Sequence, residues 1–181
     1  MTEHLTDEDF TVKVVHDAPR ELVFEVMIRP EHLARFWGPT GMHTPIENIV
    51  VDLRPGGAFE TTMVSDHGGD TYTMRAVYVD VAPPRYLSWR ELDSEVSTEI
   101  TFTDLGDGST EVITTQRGLP AAMRTPEARA GWASALDSNT RYIASLMVEQ
   151  SSAGTRAHGR PRRARDELPV SPPDRRRGPR Q

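Results

Sequence analysis

The chain has no cysteine among its 181 residues, which excludes a disulfide framework, thiolate catalysis and any thiolate metal site. It has a single lysine, Lys13, so nearly all of its positive charge is arginine. No apolar run approaches the roughly 20 residues that span a bilayer, and no membrane association is expected. The start, MTEHLTDEDF, is acidic and lacks an apolar centre, unlike a secretory signal; a cytoplasmic location is the expectation. Hydrophobic residues make up 36% of the chain, and the shortfall is concentrated at one end.

That end is residues 150–181, where nine arginines stand against three acids, a local charge of +6. The overall charge of −6 therefore leaves the preceding residues at −12. An acidic body argues against nucleic acid as its partner, because phosphate binding needs a basic face. The Arg/Pro-rich tail has almost no large apolar residues with which to offset its ordering entropy. No aromatic residue interleaves its arginines to stack on bases. It is read as a disordered extension, and residues 1–149 as one folded domain of ordinary size.

Within that domain the period of the pattern changes in order. Phe10, Val12 and Val14 fall on one face and Thr11, Lys13 and Val15 on the other, which predicts a first strand over Phe10–His16. Asp17-Ala18-Pro19 then starts a helix, with Asp17 as its expected cap. Leu22 with Val26, and Val23 with Met27, are its i, i+4 apolar pairs. Pro30 opens a second short helix carrying Leu33, Phe36 and Trp37, closed by Gly38-Pro39.

From residue 46 the period is two. Strands are expected over 46–53, 58–65, 71–81, 86–92, 96–103 and 110–117, separated by Gly- and Pro-rich turns. The strand over 71–81 is apolar on both faces and is read as central. Thr125-Pro126-Glu127 predicts the start of a closing helix, by a hydroxyl cap, a proline at the first position and an early carboxylate. Trp132, Leu136, Asn139, Ile143 and Leu146 form one stripe along it, to about residue 147. Asn139 is the polar exception, and a buried carboxamide needs either a core partner or a ligand.

Little of this looks catalytic. The six histidines have no metal-ligand spacing, so no metal is expected, and no cofactor motif is present. The glycines of DLRPGG, residues 52–57, are not followed by Lys-Ser/Thr or a helix, as a phosphate loop would be. His32 and His67 read as solvated, and Asp104 and Asp107 as backbone caps in a turn.

Taken together, APRELVF (18–24), PEHLARFWGP (30–39), DLRPGG (52–57), VDVAPPRYLSW (79–89) and the GW opening the last helix resemble the Hsp90-ATPase-activator-homology (AHSA1-like) branch of the START-like superfamily. The resemblance covers about residues 10–148. It implies an α+β helix-grip fold: a curved antiparallel sheet of about seven strands around a long C-terminal helix, two short helices after the first strand, and a hydrophobic cavity between sheet and helix. It implies function more weakly, since one fold hosts unrelated roles. Members include lipid and polyketide binders, aromatase/cyclases, a co-chaperone domain and self-resistance proteins. Two positions depart from the pattern: Asn139 stands where leucine is usual, and Ala76 where glycine is usual.

On strand parity Phe59, Met63, Met74, Tyr78 and Trp89 face the expected cavity, with Trp132 and Asn139 over it and Trp37 at its entrance. For any single one of these, ordinary core packing is the simpler role. Glu91 shares the parity and would be a general acid if buried, or a solvated strand end if not. The leading expectation is non-catalytic binding of a hydrophobic or aromatic small molecule, such as a sequestered natural product. A polyketide cyclase or aromatase is the enzymatic alternative, and a co-chaperone module the third. The oligomeric state is left open by these patterns.

Overall fold

The computed structural model describes residues 2–5 and 10–158, with side chains over 10–152. Strand β1 (Thr2–Leu5) and strand β2 (Phe10–His16) form an N-terminal hairpin, and two short helices follow, α1 (Arg20–Val26) and α2 (Pro30–Leu33). Then come β3 (Met42–His43), β4 (Ile49–Val51), β5 (Ala58–Ser65), β6 (Thr71–Ala82), β7 (Tyr86–Glu91), β8 (Ser97–Asp104) and β9 (Thr110–Arg117). Helix α3 (Pro126–His158) closes the described chain.

All strands pair antiparallel in one sheet ordered β1-β2-β9-β8-β7-β6-β5-β3, with β4 also on β5. Chain order is broken where β2 joins β9, which closes the meander against the N-terminal strand, and at the far edge, where both β3 and β4 pair with β5. Seven of the nine strands correspond to the expected sheet; the short β1 and β3 at its edges are additional. Residues 46–48 form a 3-10 turn rather than the start of a strand, leaving β4 only three residues long.

Local chemistry accounts for the ends of most elements. Pro19 itself occupies the cap position of α1, in an extended conformation and with no side-chain cap, so Asp17 does not cap that helix. A proline lacks the N–H that a cap position leaves unpaired in any case. Thr125 does cap α3, accepting the Ala128 N–H on its hydroxyl at 3.2 Å. The helix continues well beyond 147, past the expected domain boundary; residues 159–181, the rest of the arginine-rich segment, lie outside the described residues.

The DLRPGG motif is a tight reversal between β4 and β5. Gly56 has φ +79° with open space around it, whereas a Cβ on Gly57 would lie 2.0 Å from the Asp52 carbonyl oxygen. The two glycines thus serve different needs, one a left-handed backbone and the other a close approach.

The concave face of the sheet carries the main core. Phe59, Met74, Ala76, Tyr78, Leu87, Trp89, Ile100 and Phe102 join Val23, Phe24 and Val26 of α1, Leu33 of α2 and Ile143 of α3. The outer face of β6 is largely exposed, with Val79 at 58%, so that strand is central in pairing but not buried on both sides. A register shift between Tyr78 and Asp80 turns Val81 back toward the core.

Candidate functional site

The predicted cavity residues divide into groups. Trp37, Phe59, Met74, Tyr78 and Trp89 belong to one cluster. Phe59 is its centre: it stacks on Tyr78 (ring centroids 5.5 Å, 17° between planes), meets Trp89 edge-on at 5.2 Å and meets Trp37 edge-on at 5.4 Å. Trp37 is half-buried in the turn after α2, and its indole N–H donates to the Thr61 hydroxyl at 3.1 Å. These rings touch one another, so the concave face is occupied by its own aromatic side chains.

Trp132 does not join this group. It packs edge-on against Phe10 at 5.1 Å, in a second cluster with Val12, Val96 and Leu119. Helix α3 is long enough for one stripe to cover two separate parts of the sheet, which accounts for the difference. Met63 is half-buried near the end of β5 and belongs to neither cluster.

Asn139 is 7% exposed, and its amide donates to the Met27 sulfur at the end of α1, 3.7 Å away. A thioether is a weak acceptor, so the carboxamide is anchored in position but poorly satisfied.

Glu91 is 9% exposed at the end of β7, not solvated. Its carboxylate accepts the Ser94 hydroxyl at 2.6 Å, and Ser94 Oγ in turn accepts the Val96 N–H at 3.2 Å. The acid thereby fastens the β7–β8 turn. Its charge also adds to burial in raising the Tyr72 phenol above its usual range. No group of three His, Cys, Asp or Glu among the described residues could hold a metal ion.

Two features of the site escaped the sequence. One is a buried polar extension of the aromatic cluster. In register across five strands, Tyr78 pairs with Trp89, Trp89 with Thr98, Thr98 with Gln116 and Gln116 with Phe10. Thr98 and Gln116 are buried and bonded to each other, Nε2 donating to Oγ1 at 3.2 Å. Only strand parity signalled them, and a Thr- and Gln-bearing stripe on β9 reads as solvent-facing. The other is the role of His32, which is half-buried and pairs with the Tyr142 hydroxyl at 2.7 Å, tying α2 to α3. His67 is exposed, and Asp104 and Asp107 accept backbone N–H bonds from Gly106 and Ser109 as turn caps.

Tyr78 is 2% exposed and Trp89 5%. The Tyr78 hydroxyl and the Trp89 indole nitrogen are buried without a hydrogen-bond partner. Burial alone pushes the Tyr78 phenol far above its ordinary range, so it stays protonated and able to donate. A separate depression of about 360 Å³ at the end of α3, lined by Met147, Val148, Ser151 and Ser152, involves none of the predicted site residues.

Among the described residues no helix is long and apolar enough to cross a membrane. A search of the curated proteins finds none that matches the chain. Solved structures do match in fold. A protein from Chromobacterium violaceum is 23% identical with a TM-score of 0.67, over 74% of this chain and 95% of that one. The AHSA1-like protein from Aeromonas hydrophila is 24% identical with a TM-score of 0.63, over 75% and 93%. A Mycobacterium smegmatis protein is 21% identical with a TM-score of 0.67, over 83% and 98%. The model of one family, Activator of Hsp90 ATPase homolog 1-like protein, matches residues 17–144, from the turn before α1 to well within α3, and the chain belongs to that family.

Proposed function

We propose that the concave face binds a hydrophobic or aromatic small molecule between the sheet and α3, without catalysis, as in sequestration of a natural product. The observation that carries this reading is the polar content of an otherwise aromatic core. A purely structural core needs neither a carboxamide held only by sulfur at Asn139 nor a buried Thr98–Gln116 pair beside Trp89. Each such group costs free energy unless it is hydrogen-bonded. Thr98 and Gln116 meet that cost with each other, and a guest with polar atoms on an aromatic frame meets it for the carboxamide. Trp37, half-buried and bonded to Thr61, is the side chain whose swing would uncover Phe59. The arginine-rich residues beyond α3 are taken as an appendage to this binding unit.

The cyclase reading needs a free acid, and Glu91 is already engaged by Ser94. The test is native mass spectrometry of the protein purified from its own host, followed by two substitutions. Asn139→Leu leaves folding intact and weakens the co-purifying ligand by about 1–3 kcal/mol, the cost of an unpaired buried group. Glu91→Gln leaves affinity unchanged. Turnover of that ligand, abolished by Glu91→Gln at unchanged affinity, would instead establish the enzyme.

A further inference from the structure

We propose that the guest carries a neutral carbonyl oxygen, as in an aryl ketone or quinone, and that the Tyr78 hydroxyl and the Trp89 indole N–H donate hydrogen bonds to it. This rests on the binding reading above and adds the chemical class of the ligand.

The class follows from the donor chemistry. An indole nitrogen can only donate, whereas a phenol can donate or accept, so the group that satisfies both must be an acceptor. The two side chains are cross-strand partners on one face of the sheet. Both rings lie against the same Phe59 ring, Tyr78 stacked on it and Trp89 edge-on to it. The neighbouring polar groups are satisfied within the protein: the Trp37 indole by Thr61, and the Gln116 amide by Thr98. Tyr78 and Trp89 thus form a cross-strand pair whose hydroxyl and indole N–H are both unmet, set in an aromatic wall; the other buried unpaired atoms among the described residues are His16 Nδ1 at the end of β2 and Arg20 Nε on α1.

Charge narrows the class further. The ring contacts of these two side chains are with Phe59, itself packed on Trp37, so the wall around the donors is aromatic. A carboxylate or phosphate placed against those rings would exchange its water for apolar surface, at high cost. A neutral carbonyl carries no such penalty, and its attached ring can pack against Phe59 and Trp89. Low local polarity also strengthens the hydrogen bonds it accepts.

The experiment is isothermal titration of the full chain with 2-acetylnaphthalene and with 2-ethylnaphthalene, which has a similar outline but no oxygen. The ketone is the less hydrophobic of the two, so a preference for it reports hydrogen bonding. The wild type is expected to bind the ketone about three- to tenfold more tightly, the worth of one or two net hydrogen bonds. Tyr78→Phe removes only the hydroxyl and should abolish most of that preference. In ¹⁵N-labelled protein, the indole N–H resonance missing from Trp89→Phe should shift with the ketone and not with the hydrocarbon. Equal affinity for both probes, or a Tyr78→Phe protein that keeps the preference, overturns the carbonyl assignment while leaving an aromatic-binding site intact. Failure of the wild type to bind either probe overturns the binding reading and this assignment together.

Discussion

His16 is the residue through which pH should act most strongly on this fold. It ends β2 opposite Thr110, is 4% exposed, and its Nδ1 is buried without a partner. Burial lowers its pKa to about 4, against an opposing pull from the Asp17 carboxylate. In the unfolded chain an imidazole titrates near 6.5. Between these values the unfolded state binds a proton that the folded state refuses, so stability is full above about pH 6.5 and falls as the pH drops toward 4. The whole window is worth roughly 3 kcal/mol, of which about 2.5 kcal/mol is lost between pH 7 and 4.5. For a folded unit of this size that corresponds to about 8 °C in melting temperature. Carboxylates also titrate at the lower end, so the informative quantity is a difference. His16→Phe keeps an aromatic ring and removes the titration. Urea denaturation of both proteins from pH 8 to 4.5 should show the wild type losing about 2.5 kcal/mol more than the variant as the pH falls. Parallel curves would show that the His16 imidazole is not shielded as its burial implies.

Two further substitutions test the packing. Gly57→Ala forces a Cβ against the Asp52 carbonyl oxygen and should cost about 2–4 kcal/mol. Gly56→Ala meets open space and pays only for its left-handed backbone, about 1–2 kcal/mol; a reversed order in chemical denaturation would refute the division of labour in this turn. Trp132→Ala should cost about 2–3 kcal/mol in the same assay, at or below the low end for buried tryptophans, because the indole is only half-buried against Phe10. A loss under about 0.5 kcal/mol would mean that the second cluster does not hold the start of α3 to the sheet.

Much of the fold is legible in the sequence because backbone rules act locally. Alternation placed Phe59, Met74, Tyr78 and Trp89 on one face, and all four are buried there. The Thr125 cap and following proline marked the start of α3 to the residue. What was not legible depends on which partner lies across a gap. Trp132 and Ile143 share a helical stripe yet enter different clusters, because a stripe records a direction around the helix and not a position along the sheet. Glu91 read either as a buried acid or as a strand end in solvent, and it is buried because Ser94, three residues on, folds back and bonds it. His32 stands among charges in the sequence, and only tertiary packing brings Tyr142 to its ring from 110 residues away. Gln116 was hidden for a related reason: a polar residue on a buried parity is indistinguishable from an exposed one until the opposite strand is known.

The motifs that place the chain in its family and the residues that would select its ligand are different sets, and the geometry explains why. The second glycine of DLRPGG is dictated by backbone atoms 2.0 Å from where a side chain would begin, and Gly38 by the Met42 carbonyl oxygen at 2.9 Å. Such positions hold for any guest, since they shape turns and touch no cavity. In the binding proposed above, the ligand-facing residues are those where a change of side chain leaves the backbone undisturbed. Ala76 and Asn139, the two departures that the resemblance in sequence suggests, are of this kind. Ala76 is 1% exposed and lies in register between Phe59 and Glu91, so its methyl group adds bulk beside the aromatic cluster. Asn139 puts a carboxamide on the buried side of α3, where leucine would only fill space. One change narrows the concave face and the other makes it more polar. Under the proposed binding, they and the unpaired donors of Tyr78 and Trp89 favour a flat, oxygen-bearing ring system over a flexible alkyl chain. A chain could fill the space but would leave every one of those polar groups unmet.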